Sequence, residues 1–430
     1  MVALTHKTRL ARVAPLALAL AGCKGPGAEL EQARAVGTLA RAGAFAPLGP
    51  GERGFVLRAG KVFTMDAEDR VLAPGMVLVR DGRIEAVGTS FDVPQGFELV
   101  DCGERWLTPG LVDLHTHIHA GGFGDINDMV MPVNPEYRSA PALVPGNELI
   151  QRAVAGGVTT LFGIPGSGTS LSGAGVLYKP KLASTYEEGV LRDPGGVKIA
   201  QDSNPQRGAG DLGVSRAGLS WILEDINDKA RAANAEGRRE PWLENLQKVH
   251  SLEIPVLIHT AGSDGVANTT RMWRGRYPVR SVLSHGCFDA WKVAPFVAAM
   301  GMPANNGPRT IEFTSSRNGR ITGISKEYAD VGVPLVSINT DSPVVPQEEL
   351  FLQAAMSARY GADGYLMLRA MTIHPAIVFG IDDRVGSLEP GKDADLVARA
   401  GNPLDPRAAV DVVWIDGRIE YDRVRDGQKF

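Results

Sequence analysis

Eight short apolar runs, spread over residues 111–338, constrain this chain more than anything else in it. They lie at 111–114, 158–162, 175–178, 197–200, 255–258, 281–284, 302–304 and 334–338, the seventh being weakly patterned. Runs this short, with little polar alternation, read as strands buried on both faces. The stretches between them leave room for helical crossovers. Residues 215–250 are the clearest helical stretch, with Trp221, Ile222, Ile226 and Ala230 near helical spacing. Eight such strands fit a closed parallel barrel, for which about 250 residues is typical. A doubly wound open sheet is the structural rival.

The flanks read differently. Residues 54–106 form a small β unit: a strand at 55–63 bent at Gly60, then two strands around Asp81-Gly82 within 75–88. Asp-Gly between apolar stretches is a strong hairpin signal. Residues 384–430 repeat this character, with a turn and strand at 386–398 and a second Asp-Gly hairpin at 412–419. The two ends are expected to build one β-sandwich beside a barrel of residues 107–383. Glycine, at 51 of 430 residues, suits a fold rich in tight turns. Apolar residues at 44% and charged residues at 22% exclude a mostly disordered chain. A net charge of −4 lacks the basic excess of a nucleic-acid binder. Three cysteines are too few for a disulfide scaffold, although Cys102 and Cys287 could pair in an oxidising compartment.

Residues 1–22 read as an address rather than as fold. Lys7, Arg9 and Arg12 precede a short apolar run, 13–20, that is too short to span a bilayer. Leu20-Ala21-Gly22-Cys23 follows and resembles the end of a bacterial lipoprotein signal. That resemblance implies export and acylation of Cys23. The protein would then be held at a cell-envelope membrane by its N-terminal lipid alone. Residues 23–53, rich in Ala, Gly and Pro, read as a tether.

The chemistry lies just past the ends of the apolar runs. His115 and His117 close the first, and residues i and i+2 of a strand face one side, so both imidazoles can reach one cation. His259 follows the fifth run, His285 the sixth and Asp341 the eighth. The C-terminal ends of barrel strands are where such folds carry their active sites. Neutral imidazoles and carboxylates ligate Zn²⁺, with Mn²⁺ and Fe²⁺ also accepting this set. Lys198 lies within the fourth run, where alternation points it into the barrel. A buried ammonium is costly unless compensated. One resolution is carbamylation by CO₂, giving a carboxylate that can bridge two cations. The other is a charged lysine at the strand mouth, solvated or bound to a substrate carboxylate.

On these residues the chain resembles the amidohydrolase superfamily across residues 54–430. The likeness rests on Pro109-Gly110-Leu111-Val112-Asp113-Leu114-His115-Thr116-His117, on His259, His285 and Asp341, and on the run from Gly386 to Leu396. Members that resemble it include imidazolonepropionase-like enzymes and lysine-bridged dipeptidases acting on Xaa-Pro bonds. The resemblance implies a distorted (β/α)8 TIM barrel with a small β-sandwich built from both ends. It implies two divalent metals: His115, His117 and Asp341 hold one, His259 and His285 the other, and Lys198 bridges. A hydroxide shared by the metals would attack the carbonyl of a small amide, cyclic amide or dipeptide, with Asp341 as general acid–base. Tyr178, at the end of the third run, would assist the carbonyl as a second catalytic residue. Family members are often oligomers, which implies a homo-oligomer here.

Two other functions compete. Single-metal deaminases of nitrogen heterocycles resemble one another in a His-x-x-Glu run after the fifth strand. Here that run is His259-Thr260-Ala261-Gly262, without the Glu, and Asp264 lies two residues on. A lipid-anchored, non-catalytic binding protein on the same fold is the second, and the full ligand set argues against it. The glycine-rich stretch 163–173 lacks the Gly-Lys-Ser/Thr ending of a phosphate loop and reads as a loop near the site. His119 reads as a loop residue contacting ligands or substrate. His250 and His374 read as locally hydrogen-bonded. Arg207, Arg271, Arg274, Arg276 and Arg309 are unranked partners for a substrate carboxylate.

Overall fold

A computed structural model describes residues 48–121, 126–128, 130–182, 185–206, 215–317 and 319–430. The expected signal, most of the expected tether and Cys23 lie outside the described residues. No described helix is long and apolar enough to cross a membrane.

Eight strands form one sheet in sequential order. They are Leu111–Thr116, Val158–Gly163, Leu171–Tyr178, Val190–Ala200, Val256–Thr260, Ser281–His285, Ala304–Asn306 and Val336–Ile338. A parallel bridge between Thr116 and Ser342, just past the eighth strand, brings the two edges together. The sheet is therefore a nearly closed barrel, not an open doubly wound sheet. Val112, Phe162, Leu177, Leu257 and Val282, from five strands, pack together with Phe379 in the barrel interior. Helices cover the outside, where Leu223, Ile226 and Ala230 join Val197, Ile199 and Ile258 in one apolar layer.

The barrel departs from the expected all-parallel form at its third strand. Leu171–Tyr178 runs antiparallel to both neighbours. The reason is chain length. Only residues 164–170 separate it from the second strand, and a parallel return needs a crossover of about a dozen residues. The helical region 215–250 also differs. It is two helices, Arg216–Ala235 and Glu244–His250, broken near Pro241. Trp221 is exposed, and Leu219, Ile222, Leu223 and Ile226 form the buried face instead.

The flanks meet in two sheets. Gly75–Arg80 and Arg83–Gly88 turn on Asp81 and Gly82, both at positive φ, as a two-residue hairpin requires. Trp106–Pro109 pairs with Leu396–Arg399 from the other end of the chain. Leu57, Val62, Val77, Leu107, Leu396 and Trp414 fill the space between the sheets. The run 386–396 fastens this unit to the barrel. Asp393 and Asp395 take the buried Lys179 ammonium at 2.7 and 2.9 Å, Asp416 joins them, and the Asp395 carbonyl accepts from Gly110 N at 3.0 Å. Gly110 itself has no room for a Cβ, which would lie 2.0 Å from Thr159 Oγ1. Cys102 lies in the sandwich core, and it forms no disulfide with Cys287.

Candidate metal centre

The first strand carries a bulge that aims its histidines. Asp113 pairs with Leu161 and Thr116 with Gly163, so three steps on one strand oppose two on the other. The extra residue shifts the alternation. Val112 packs in the interior, yet His115 and His117 also reach inward, to Asp341 Oδ1 at 3.2 and 3.1 Å. Lys198 faces the same space, with Nζ 3.4 Å from His115 Nε2. On the sixth strand Leu283 packs outward, and strict alternation would send His285 after it. His285 instead takes a left-handed backbone, φ 77°, and turns inward; Asp341 does likewise at φ 50°. Non-glycine residues held at positive φ cost about 1–3 kcal/mol each and concentrate at functional sites.

Two groups of ligand atoms result, each within 4.8 Å: His115, His117 and Asp341, and His115, His259 and His285. Every imidazole has its Nδ1 engaged elsewhere. His117 Nδ1 meets the Ile164 carbonyl at 2.9 Å, and His285 Nδ1 meets that of Gly307 at 3.1 Å. His115 Nδ1 meets Ser284 Oγ at 2.7 Å, and His259 Nδ1 meets Ser167 Oγ at 3.0 Å. A carbonyl only accepts, so in the neutral rings of His117 and His285 the proton sits on Nδ1 and the lone pair on Nε2. His285 Nε2 is buried with no hydrogen-bond partner, and His117 Nε2 faces a carboxylate oxygen. Lone pairs packed against one another and against a carboxylate need a cation between them, so this donor set fits divalent metal ions.

Electrostatics agree. Burial, reinforced by Lys198 and neighbouring imidazoles, holds His115 and His259 well below the usual histidine range. Burial takes His285 to about 4 against the pull of Asp341. Burial would raise the Asp341 carboxyl, but His115, His117 and His285 more than offset it, and its pKa is well below normal. Burial lowers Lys198 to about 7, against the opposing effect of Asp341. His115, His259 and His285 are thus favoured as neutral imidazoles beside the Asp341 carboxylate, with a lysine that more readily loses its proton.

Several residues that the sequence did not single out support these ligands. Ser167, in the glycine-rich loop after the second strand, touches both Lys198 and His259. Asp113 is fully buried and tied four times. Oδ1 accepts from His115 N at 2.9 Å; Oδ2 accepts from Thr340 N, Thr340 Oγ1 and Gln347 Nε2 at 3.0, 2.7 and 2.7 Å. It links the strand bearing His115 to the turn bearing Asp341. Burial raises its pKa to about 6 despite these donors. The pairing of a motif Asp with Thr340 and Gln347, over 220 residues away, has no local sequence signal.

Other expected residues lie elsewhere. Because the third strand is antiparallel, its C-terminal end points away from the rim, and Tyr178 is not among the groups that converge with the histidines. Leu177 packs in the interior, whereas Tyr178 packs outward with Ile150, Ala153 and Leu161. Its hydroxyl is buried without a partner. Tyr178→Phe is expected to leave kcat/KM within about twofold and stability unchanged or slightly raised, because an unsatisfied buried polar group costs about 1–3 kcal/mol. Steady-state kinetics and thermal melts check this; a loss of kcat alone would return Tyr178 to the site. His119 is buried in the turn Ile118–Ala120, beside Tyr178. His250 and His374 are bound locally, to Asn227 and to the Val336 carbonyl. Arg276 pairs with Asp228, Arg271 stacks over Phe296, and Arg207 lies outside the described residues. Asp264 is engaged by Arg216.

Imidazoles and a carboxylate converging on the rim of a (β/α) barrel define the class of metal-dependent hydrolases. Comparison with known proteins narrows this. The family model described as Amidohydrolase family matches residues 242–420. An amidohydrolase from Thermotoga maritima superposes with a TM-score of 0.76 at 31% identity, covering 86% of this chain and 100% of that one. The chain belongs to the amidohydrolase family, hydrolases acting on carbon–nitrogen bonds. Imidazolonepropionase of Thermoplasma acidophilum is 26% identical over 83% of this chain and 92% of its own length. Amidohydrolase tasK of Hapsidospora irregularis is 26% identical over 81% of this chain, which spans only 40% of that protein.

Proposed function

We propose that this chain hydrolyses the carbon–nitrogen bond of a small amide, cyclic amide or dipeptide at a two-metal centre. The observation that carries this reading is the convergence of His115, His117, His259, His285 and Asp341 on one space that Lys198 also enters. His115, His117 and Asp341 would hold one metal and His259 and His285 the other, with a carbamylated Lys198 supplying a carboxylate to both. When bound, the metals, Zn²⁺ first and Mn²⁺ or Fe²⁺ by the same ligand chemistry, activate water and polarise the scissile carbonyl.

The chain's own groups do the rest. Asp341 takes the proton of the attacking water on a carboxylate oxygen and returns it to the leaving nitrogen. Its left-handed backbone and the Asp113–Thr340 link fix where that oxygen lies. Lys198, fully buried and shifted toward its neutral amine, has the free lone pair that bonding to CO₂ requires. The nitrogen–carbon bond forms, the lysine releases a proton, and the product is a carboxylate. The relative named imidazolonepropionase supports beginning with cyclic amides. The Leu20-Ala21-Gly22-Cys23 run supports a lipid anchor at a bacterial envelope membrane.

The test is metal removal. Chelation is expected to abolish turnover of a panel of cyclic amides and dipeptides, and added Zn²⁺ or Mn²⁺ to restore it. Turnover that survives exhaustive chelation would refute the reading.

A further inference from the structure

We infer that Ser167 is a positioning residue that sets the bridging lysine and one metal-binding histidine with a single hydroxyl. The inference rests on the two-metal reading and extends it to a residue outside the ligand set. Ser167 Oγ lies 2.9 Å from Lys198 Nζ and 3.0 Å from His259 Nδ1. A hydroxyl has two acceptor lone pairs and one hydrogen. Accepting from the lysine nitrogen uses one lone pair. Accepting from His259 Nδ1–H uses the other, and leaves the His259 Nε2 lone pair facing His115 and His285. The opposite orientation, with the hydroxyl donating to Nδ1, would put the ring proton on Nε2 and block ligation. Ser167 can thus accept from Lys198 and from the ligating tautomer of His259 at once. Its own hydrogen is then left for the group carried by the lysine.

The loop is built to hold the hydroxyl still. Gly166 N donates to the Ile126 carbonyl at 2.8 Å, and Gly168 N to Asn127 Oδ1 at 3.0 Å. Ser172 Oγ donates to the Gly166 carbonyl at 2.6 Å. A Cβ at Gly166 would meet Asn127 Nδ2 at 2.3 Å, so a side chain there would displace the Asn127 amide that holds Gly168 N. The same loop supplies the Ile164 carbonyl to His117 Nδ1. One rigid segment therefore orients a ligand of each metal group together with the lysine. This accounts for the glycine-rich stretch that does not suit a phosphate.

The test uses full-length protein with bicarbonate present. Zn²⁺ affinity is measured by chelator competition, and the lysine carbamate by ¹³C NMR with labelled bicarbonate. Ser167→Ala is expected to weaken Zn²⁺ by about 10–100-fold, the usual effect of losing a hydrogen bond to a ligand, and to diminish the carbamate signal. Ser167→Thr, which keeps the hydroxyl, is expected to recover most of both. Ser167→Ala with wild-type Zn²⁺ affinity and carbamate would overturn the inference while the two-metal reading stands. Equal losses in both variants, matched by equal falls in melting temperature, would also overturn it, since a loop-folding role would then suffice. Wild-type protein that binds no Zn²⁺ would sink the two-metal reading and this inference with it.

Discussion

Lys198→Ala is expected to lower metal content from about two ions per chain to one or none. The same change should cut kcat/KM by at least about 100-fold, or about 2.7 kcal/mol of transition-state stabilisation. The metal-free fold should not suffer. Lys198 is wholly buried and meets only a serine hydroxyl and an imidazole nitrogen within hydrogen-bonding range, so its removal relieves a desolvation cost. With metal stripped from both proteins, the melting temperature of the variant is therefore expected to hold or rise, while activity with metal supplied collapses. Acetate or propionate, entering the space left by the side chain, should restore part of both metal content and rate by supplying the missing carboxylate. Elemental mass spectrometry, thermal melts and kinetics on one preparation decide it. Unchanged metal content and rate would show that the lysine is neither bridge nor ligand.

Asp113→Ala is expected to be the most damaging change that touches no metal ligand side chain. It strands the backbone N–H of His115 and of Thr340, the Thr340 hydroxyl and the Gln347 amide, all in a fully buried setting. Unsatisfied buried donors cost about 1–3 kcal/mol each, and partial relaxation brings the sum to about 3–5 kcal/mol. Metal affinity should fall too, because the link between the His115 strand and the Asp341 turn is cut. Asp113→Asn keeps the shape and one acceptor, and should lose less. Denaturant titrations and metal content of both variants give the comparison. An alanine variant as stable as wild type would remove Asp113 from the framework of the site.

What the sequence made legible follows from which signals are local. Each apolar run is a local signal, and each became a barrel strand, including the weak seventh at Ala304–Asn306. The two Asp-Gly hairpins were equally local. The residues that converge at the candidate metal centre were legible because a polar residue directly after a buried strand is conspicuous. Strand direction was not, because it depends on the length of the connection. The seven residues 164–170 were too few for a crossover, and that count would have foretold the antiparallel third strand. Tyr178 falls at the rim only if that strand runs parallel. The bulge at Leu114–His115 and the left-handed turn at His285 were hidden too, since both reset an alternation that a pattern assumes to be regular. Ser167 and Asp113 act through contacts with residues far away in the chain, and only the folded barrel brings those partners together.

Metal stoichiometry tests the two-metal centre most directly. Full-length protein expressed with bicarbonate, freed of loosely bound ions and measured by elemental mass spectrometry, is expected to carry about two divalent metals per chain. It should lose one or both in Lys198→Ala. One metal per chain in wild type, with Lys198→Ala the same, would contradict the bridged centre and turn attention to a single-metal deaminase. No metal in either would contradict the hydrolase reading altogether.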